Sequence, residues 1–195
     1  MIRNAFRALV ATIVLAVITG LLYPLVMTGF AQIAFSGKAD GSVVKVDGQT
    51  VGSALIGQTW QGPQWFYGRP SAISDPYDAS TSSGSNLGPR SRALADAIKQ
   101  RVRAIMKIEG PYHPGLGPSE IPVDLLTASG SGLDPEISPE AAMFQAPRIA
   151  AVRRLPLTQI QALIWDHTAG RTLGLLGEPR VNVLLLNLAL QHLVR

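Results

Sequence analysis

A long run of apolar residues without charge lies near the start of the chain, and segments with alternating apolar and polar positions follow it. Residues 8–35 contain no Asp, Glu, Lys or Arg, and an α-helix needs about 20 apolar residues to cross the hydrocarbon of a membrane. The run therefore predicts a transmembrane anchor over residues 8–35. A cleaved signal peptide is the alternative, although the apolar region of such peptides spans only about 7–15 residues. Pro24 removes one backbone donor and predicts a kink within the span.

The charges that flank this run indicate its orientation. Arg3 and Arg7 precede it, whereas the other flank carries one basic and one acidic residue close together. An excess of positive charge is retained in the cytoplasm. We therefore expect residues 1–7 to be cytoplasmic and residues 38–195 to form a soluble domain on the other side of the membrane.

The remaining pattern predicts a mixture of strands and helices. Residues 42–51 alternate apolar and polar side chains around Asp47-Gly48, a pair that tolerates positive φ, so they predict a β-hairpin. After Ser91, which can cap a helix, apolar side chains recur every three or four residues as far as Gly110. This spacing predicts an amphipathic helix.

The C-terminal half continues in the same mixed manner. Ser138-Pro139 has the order of a cap followed by proline in the first turn and predicts another helix, which Pro147 is expected to break or kink. Apolar runs predict a strand over 121–126, a helix over 157–167 and a last buried strand over 181–186, for which a helix is the alternative. The fold class is therefore α+β, with a single N-terminal transmembrane helix followed by one compact mixed α/β extracytoplasmic domain.

Charge is distributed unevenly, and this changes how the basic composition is interpreted. The chain has 195 residues and a formal net charge of +4, of which Arg3 and Arg7 carry half. From Lys38 onward 15 basic residues, the total of 17 less those two, stand against 13 acidic ones. The soluble part offers no broad basic surface to a phosphate backbone, so nucleic acid is not an expected partner. The absence of cysteine excludes disulfide bridges, thiol nucleophiles and thiolate metal ligands.

Two stretches rich in glycine and serine are candidates for chemistry. Residues 80–88 precede the helix that follows Ser91, so their backbone N–H groups could hold an anion. The lysine of a P-loop is absent, however, and a structural loop is favoured. Residues 127–135 lack the Gly-x-Ser-x-Gly spacing of a nucleophile elbow. These patterns select no catalytic residue.

The histidines give no metal-binding pattern. His113, His167 and His192 are far apart in sequence, and none forms a paired ligand spacing with another, so no metal site is predicted. His167 follows Asp166 at the end of a predicted helix. Its expected role there is to interact with the terminal carbonyl groups rather than to act as an acid or base.

Three arginines and a group of aromatic residues are expected to serve the fold. Arg69, Arg148 and Arg180 each lie beside proline in turn-like surroundings, and we expect them to anchor carboxylates across loops rather than to bind a substrate. The aromatic residues within 60–67, together with Tyr77, are expected to cover one side of a small core rather than to cage a ligand.

Several stretches of the chain together point to one family. They are Gly52-Ser-Ala-Leu-Ile-Gly57, Arg69-Pro-Ser-Ala72, Gly84-Ser-Asn-Leu-Gly88, Pro122-Val-Asp-Leu-Leu-Thr-Ala-Ser-Gly-Ser-Gly-Leu-Asp-Pro135, Ile137-Ser-Pro139, Gly177-Glu-Pro-Arg-Val-Asn182 and Leu186-Asn-Leu-Ala-Leu190. In order and spacing the set resembles the C subunit of the Kdp potassium-transporting P-type ATPase over essentially the whole chain. The chain departs from the family at Ser83, where a second glycine is common, and at 90–92, where Thr-Asn-Pro is expected.

The resemblance implies a single-pass subunit of the cell inner membrane, surrounded by lipid there, with its soluble domain in the periplasm. The implied partners are a P-type subunit that hydrolyses ATP and a channel-like subunit that selects potassium. The family's C subunit is described as a catalytic chaperone that raises the nucleotide affinity of the hydrolysing subunit. That role is tied to a glutamine, which corresponds to Gln145, and to the preceding serine and glycine stretch. By resemblance the nucleotide-binding candidates are therefore Ser85, Asn86 and Gln145.

The predicted topology conflicts with a direct contact to ATP, because Gln145 would face the periplasm whereas ATP is cytoplasmic. The leading hypothesis is therefore an accessory and assembly subunit that has no catalysis and binds no cofactor alone, with ATP bound only together with the partner subunit. One alternative is a regulator that binds nucleotide directly through Ser85, Asn86 and Gln145. A third hypothesis is a membrane-anchored hydrolase, because serines are abundant although no triad is arranged.

Overall fold

The computed structural model describes residues 1–193 and divides the chain into two compact units, Met1–Val51 and Gly52–Arg195. Residues 194 and 195, the end of the predicted soluble domain, lie outside the described residues. Each unit has its own architecture.

The first unit begins with an apolar helical segment, Ile2–Ala39, which is long and apolar enough to cross a membrane. Pro24 lies just after a π-helical turn, a distortion that suits a residue without an N–H donor. Further along, Phe35 leaves helical geometry, with φ −143° and ψ 40°. The parts of the helix are α1 (Ile2–Val17), the π-helical turn (Ile18–Leu22) and α2 (Tyr23–Ala39).

A β-hairpin follows the helix, as the alternation of side chains predicts. Strands β1 (Val43–Val46) and β2 (Gln49–Ser53) pair with each other. Asp47 and Gly48 have φ values of 51° and 78°, the two positive values that a tight hairpin turn requires. The predicted hairpin is therefore confirmed.

The second unit combines helices with a small antiparallel sheet whose strand order is β3-β5-β4. In this sheet Val181 lies between Ile137 on one side and Thr168 on the other. Helices and strands share one core, which confirms the predicted mixed fold class. The elements are α3 (Arg92–Glu109), α4 (Val123–Leu126), β3 (Glu136–Ile137), α5 (Pro139–Arg153), α6 (Leu157–Asp166), β4 (Thr168–Ala169), β5 (Arg180–Asn182) and α7 (Val183–His192), with 3-10 turns at Gly110–Tyr112 and Pro118–Glu120.

The core of this unit is built around α5. Ala141, Ala142 and Ala146 are completely buried on this helix, and their small side chains let α6 and β5 pack closely against it. Ile160 and Ile164 of α6 are also completely buried. The predicted helices after Ser91, after Ser138 and over 157–167 are confirmed, and the Ser138 hydroxyl caps α5 by accepting from the N–H of Ala141 at 3.0 Å.

The predicted strand over residues 121–126 is wrong. The chain forms the single helical turn α4 there, directly after Pro122. Proline is tolerated before a first helical turn, and the acidic Asp124 lies at the positive end of the turn. The last carbonyl group, that of Leu126, accepts a hydrogen bond from Arg101 Nη1 at 2.8 Å. A proline before the turn, an acidic residue within it and a distant arginine therefore stabilise a turn where the apolar pattern indicates a strand.

Of the break or kink predicted at Pro147, the break is wrong, because α5 continues through this residue to Arg153. The missing N–H of Pro147 frees carbonyl groups one turn earlier. In that turn the Phe144 carbonyl accepts a hydrogen bond from His113 Nε2 at 2.8 Å, while the His113 ring stacks on the Phe144 ring. This contact from outside the helix holds the turn that precedes the proline.

The last predicted strand is correct for only a small part of its length. Strand β5 ends at Asn182, and the helix given as the alternative continues from there as α7. The Asn182 side chain accepts from the N–H of Leu185 at 3.1 Å, so it caps the new helix. One residue therefore ends the strand and begins the helix.

Candidate functional site

Gln145, the glutamine singled out by the family resemblance, lies on the buried face of α5 with 1% of its surface exposed. Its Oε1 atom accepts the N–H of Tyr67 at 2.8 Å, and its Nε2 atom donates to the Tyr67 carbonyl at 3.1 Å. Nε2 also donates to the Ala141 carbonyl at 3.3 Å. The amide therefore pairs with the Tyr67 backbone in the way that a neighbouring β-strand would.

Asn187 repeats this arrangement from a different helix. It is completely buried on α7. Its Oδ1 atom accepts the N–H of Phe66 at 2.9 Å, and its Nδ2 atom donates to the Phe66 carbonyl at 3.0 Å. Two side-chain amides from α5 and α7 thus hold two consecutive residues of the chain.

Arg148 binds the same segment and is also completely buried. Its Nη1 atom donates to the carbonyl groups of Pro63 and Trp65, the latter at 2.9 Å. Its Nη2 atom donates to Gln145 Oε1 at 3.1 Å, and its guanidinium carbon lies 4.6 Å from the centre of the Tyr67 ring. Arg148 therefore joins the glutamine amide to the backbone that both of them hold.

We call residues 63–67 the strap. The carbonyl group of each of its five residues accepts a hydrogen bond from a side chain, since Arg153 Nε donates to the one that remains, that of Gln64, at 3.0 Å. The strap has no helical or strand structure, and buried backbone groups need partners wherever they lie. Side chains supply here the bonds that secondary structure supplies elsewhere.

Glu109 at the end of α3 completes the cluster. It is 2% exposed, and its Oε1 atom accepts from Arg148 Nε at 2.8 Å. Its other oxygen, Oε2, is buried and has no hydrogen-bond partner in the described residues. Burial raises the pKa of Glu109 above its usual value, and the attraction of Arg148 and His113 offsets this only in part.

The space beside Gln145 is small. A cavity of about 90 Å³ is bordered by Tyr67, Gly68, Ile105, Ile108, Glu109, Leu125 and Gln145. It has room for about three water molecules, whereas sites for small molecules usually enclose about 300–1,000 Å³. A nucleotide does not fit beside Gln145 in this structure.

Ser85 and Asn86 lie in a different environment. Both are exposed, and Asn86 has a left-handed backbone with φ 50°. Among the described residues no hydrogen bond or ion pair joins either of them to Gln145. The structure therefore does not assemble the three nucleotide-binding candidates into one site.

The loop that carries Ser85 and Asn86 packs against the second glycine and serine stretch. The N–H of Ser83 donates to the Ser131 carbonyl at 2.9 Å. A side chain added at Gly84 would lie 2.8 Å from the Gly130 carbonyl oxygen. The two loops approach backbone to backbone, which glycine permits, and this agrees with the structural role that was favoured for residues 80–88.

The predicted roles of the three arginines and of one histidine are confirmed. Arg69 pairs with Asp134 at 3.1 Å, Arg180 pairs with Glu136 at 3.1 Å, and Arg148 pairs with Glu109. Arg148 nevertheless lies within a helix rather than in turn-like surroundings. At the end of α6, His167 Nδ1 lies 2.9 Å from the Leu163 carbonyl oxygen, as a capping role requires.

Sequence alone does not single out Asn187 and Arg153 as anchors of the strap, or Glu109 as the partner of Arg148. A signal for Asn187 exists, because it is a lone polar residue in the apolar run Leu184-Leu-Leu-Asn-Leu-Ala-Leu190. A polar side chain on a buried helix face must find partners. The sequence does not say that these partners lie at Phe66, 121 residues away.

Comparisons with known proteins agree on one family. Residues 5–192 match the family described as KdpC: K+-transporting ATPase, c chain. The chain is 50% identical to the potassium-transporting ATPase KdpC subunit of Bradyrhizobium diazoefficiens, with 98% of each chain covered. It is 51% identical to the subunit of that name from Methylobacterium nodulans, covering 99% of this chain and 98% of the relative. It is 52% identical to the one from Paraburkholderia xenovorans, with 99% of each covered.

Proposed function

This chain belongs to the KdpC family and is an accessory subunit of a potassium-transporting ATPase complex, and from that premise we propose that it has no catalysis of its own. Its role is to assemble and steady the complex from a membrane anchor. The observation that carries this proposal is the use of its buried polar groups. Gln145, Arg148 and Asn187 all bind the backbone of the strap, so these groups hold the fold rather than face a substrate.

The decisive experiment compares the complex purified with and without this chain. We expect its removal to lower the stability of the complex, its potassium uptake and its ATPase activity together. If all three remain unchanged, an assembly role is contradicted. If ATPase activity is lost while the other subunits stay associated, this chain acts on the state of the hydrolysing subunit rather than on assembly.

The proposed partners are the P-type subunit that hydrolyses ATP and the channel-like subunit that selects potassium. A domain outside the membrane beside the channel-like subunit could cap or steady the potassium entrance. The names of the relatives support membership of the complex, and cross-linking within the purified complex would show which subunit is contacted.

The proposed topology places residues 1–7 in the cytoplasm, the apolar helix in the inner membrane and residues 38–195 in the periplasm. Arg3 and Arg7 support it, because they precede a helix able to cross a membrane. A reporter that is active only in the periplasm, fused after Arg195, tests it. Activity of this fusion is expected. An inactive fusion, together with activity of a second reporter that works only in the cytoplasm, would reverse the orientation.

An effect on nucleotide affinity is proposed to be indirect. If the domain is periplasmic, this chain changes ATP binding only by favouring one of two states of the hydrolysing subunit. The lack of room beside Gln145 supports this reading. In this view Gln145 is an anchor of the strap, and substituting it would alter the complex through the shape of the domain.

Direct nucleotide binding remains a second candidate because Ser85 and Asn86 are exposed. Photoreactive ATP added to the purified complex distinguishes the two. Indirect action predicts label on the hydrolysing subunit only, and the double variant Ser85→Ala with Asn86→Ala should leave nucleotide affinity unchanged. Label on a peptide containing residues 80–91 of this chain would establish direct binding.

A further inference from the structure

The segment between β4 and β5, residues 170–179, presents leucine side chains to solvent. We call it the leucine loop. Leu173 is 88% exposed, Leu175 is 80% exposed and Leu176 is 63% exposed. Among the described residues of the second unit these are the three most exposed leucines. They lie within four consecutive positions, so they form one apolar tip rather than scattered surface residues.

The leucine loop is ordered by its own backbone. The N–H of Thr172 donates to the Leu176 carbonyl at 2.8 Å, and the N–H of Leu176 donates to the Thr172 carbonyl at 3.0 Å. At the base of the loop Arg171 Nη2 contacts both carboxylate oxygens of Glu178, at 2.6 and 2.8 Å. The apolar tip is thus held outward on a closed turn.

The backbone at the tip is unfavourable for leucine. Leu173 has a φ of 55° and is followed by Gly174 with a φ of 75°. The left-handed region suits glycine and asparagine, whereas a branched aliphatic side chain is strained there. A leucine that is both strained and fully exposed contributes nothing to the core of this fold. Such a combination indicates a role in an external contact.

We propose that the leucine loop docks into an apolar pocket on a partner subunit of the same ATPase complex, and that basic side chains surround that pocket. The proposal rests on the accessory function stated above and names one surface that performs it. The contact would bury Leu173, Leu175 and Leu176 together, as hydrophobic anchors at protein interfaces are buried.

Charge decides between a protein and a lipid as the occupant. A pocket of about 300 Å³ lies at the base of the leucine loop and is bordered by four carboxylates, those of Asp124, Asp134, Glu136 and Glu178, and by two guanidinium groups, those of Arg69 and Arg180. Three of these carboxylates are ion-paired, Asp134 with Arg69, Glu136 with Arg180 and Glu178 with Arg171, so the surround has an excess of about one negative charge and offers no attraction to an anionic membrane surface. The loop has no aromatic residue, and its Arg171 is paired, so the usual interfacial anchors are absent from it. A protein pocket with a basic rim is complementary to both features.

Site-specific cross-linking in the purified complex tests the contact directly. A photoreactive benzophenone amino acid replaces Leu175 in one preparation and Leu55 in another. Leu55 is a matched control, because it is 61% exposed on the same unit and lies outside the loop. We expect position 175 to cross-link to another subunit of the complex and position 55 not to do so. No subunit cross-link at 175, or equal yields at both positions, would overturn the proposal.

A second measurement uses substitutions that keep the fold. Leu173→Asn removes the apolar side chain and suits the left-handed backbone, and the double variant Leu175→Ser with Leu176→Ser removes the other two. Each should raise the rate at which this chain is lost from the detergent-solubilised complex by about tenfold, the effect of losing one interface anchor. Leu55→Ser should leave that rate unchanged. An unchanged rate in both loop variants would count against the contact.

Bilayer dependence separates the two occupants. If the loop variants change the complex only after reconstitution into lipid nanodiscs and not in detergent, the leucines bind lipid and the proposal is overturned. The same measurements distinguish failure of the proposed accessory function from failure of the proposed leucine-loop contact. A wild-type chain that does not associate with the other subunits contradicts the accessory function, whereas a wild-type chain and loop variants that associate equally well contradict this contact alone.

Discussion

The strap and the leucine loop show opposite uses of polar and apolar side chains. In the strap, buried amide and guanidinium groups satisfy the backbone carbonyls of residues 63–67. In the leucine loop, the backbone satisfies itself and the apolar side chains point to solvent. The side-chain polar groups around the first region are used to hold the fold, whereas the apolar side chains of the second region are exposed to solvent. Polarity alone is therefore a poor guide to where this protein acts.

The strap depends on side-chain partners for its backbone carbonyl groups. Inside a protein each hydrogen bond is stronger than in water, and each unpaired group costs correspondingly more. Arg148 and Gln145 share a hydrogen bond, so the loss of either affects the other. The leucine loop has no such coupling, because its leucines contact little of the fold. Four predictions test this contrast.

The largest expected effect is that of Arg148→Met. The change leaves the Glu109 carboxylate buried without its cation and removes the donor to Pro63 and Trp65. We expect the free energy of unfolding to fall by about 3–5 kcal/mol, the usual cost of breaking a buried ion pair. Denaturant unfolding of the full chain in detergent measures it.

Arg153→Met is the matched control for that change. Arg153 donates to a single strap carbonyl and is only partly buried. Its replacement should cost about 1 kcal/mol, the typical net contribution of one hydrogen bond. Equal losses in the two variants would show that the buried ion pair is not what stabilises the strap.

Asn187→Leu should have the next largest effect. The new side chain has a similar volume, but it leaves the N–H and carbonyl groups of Phe66 buried without partners. The expected loss is about 2–4 kcal/mol, from two groups at about 1–3 kcal/mol each with partial relaxation. Gln159→Leu replaces an exposed amide on α6 and should change stability by less than about 0.5 kcal/mol. If Asn187→Leu leaves the free energy of unfolding unchanged, the strap does not need the hydrogen bonds of the Asn187 amide.

Substitutions in the leucine loop should cost much less stability than substitutions in the core. Leu175→Ser combined with Leu176→Ser is expected to change the free energy of unfolding by less than about 0.5 kcal/mol, because exposed side chains contribute little. Leu190→Ala removes a completely buried side chain and should cost about 2–5 kcal/mol. Thermal unfolding of the same preparations compares them. A large loss in the loop variant would show that the leucines serve the fold.

The smallest effect concerns pH. Because burial raises the pKa of Glu109, the folded state holds this proton more strongly than the unfolded state does. The stabilising contribution is therefore present at low pH and is lost as pH rises through the raised pKa. When melting temperatures are measured from about pH 4.5 upward, that of the wild type should fall as pH rises. The Glu109→Gln variant should not show this fall. The same slope in both proteins would assign it to another group.

Local signals explain which parts of the fold could be predicted. The Asp47-Gly48 turn and the Ser138-Pro139 cap act within a few residues, so the hairpin and the start of α5 follow from sequence alone. The strand predicted over 121–126 fails because Arg101, on another element, stabilises the end of α4. The break predicted at Pro147 does not occur, because α5 is held from outside by its packing against α6 and by the contact of His113 with Phe144. In each failure the deciding group lies far away in the sequence.

The candidate site, too, could be predicted from the sequence only in part. The sequence indicated that arginines would anchor carboxylates, since charge and position are local properties, but not which carboxylates. It identified Gln145 only by resemblance and grouped it with Ser85 and Asn86. The structure places Gln145 in the core and the other two at the surface, and only the fold could separate them.

The sequence by itself determined the apolar helix, the nearly neutral soluble part, the mixed fold class and the family. These depend on composition and on periodicity, which are properties of short stretches and of their order. The tertiary structure alone decided that the strap is held by side chains from α5 and α7, and that three leucines are left outside. A buried amide binds whichever backbone the folded chain brings to it, and for Asn187 that backbone lies 121 residues away.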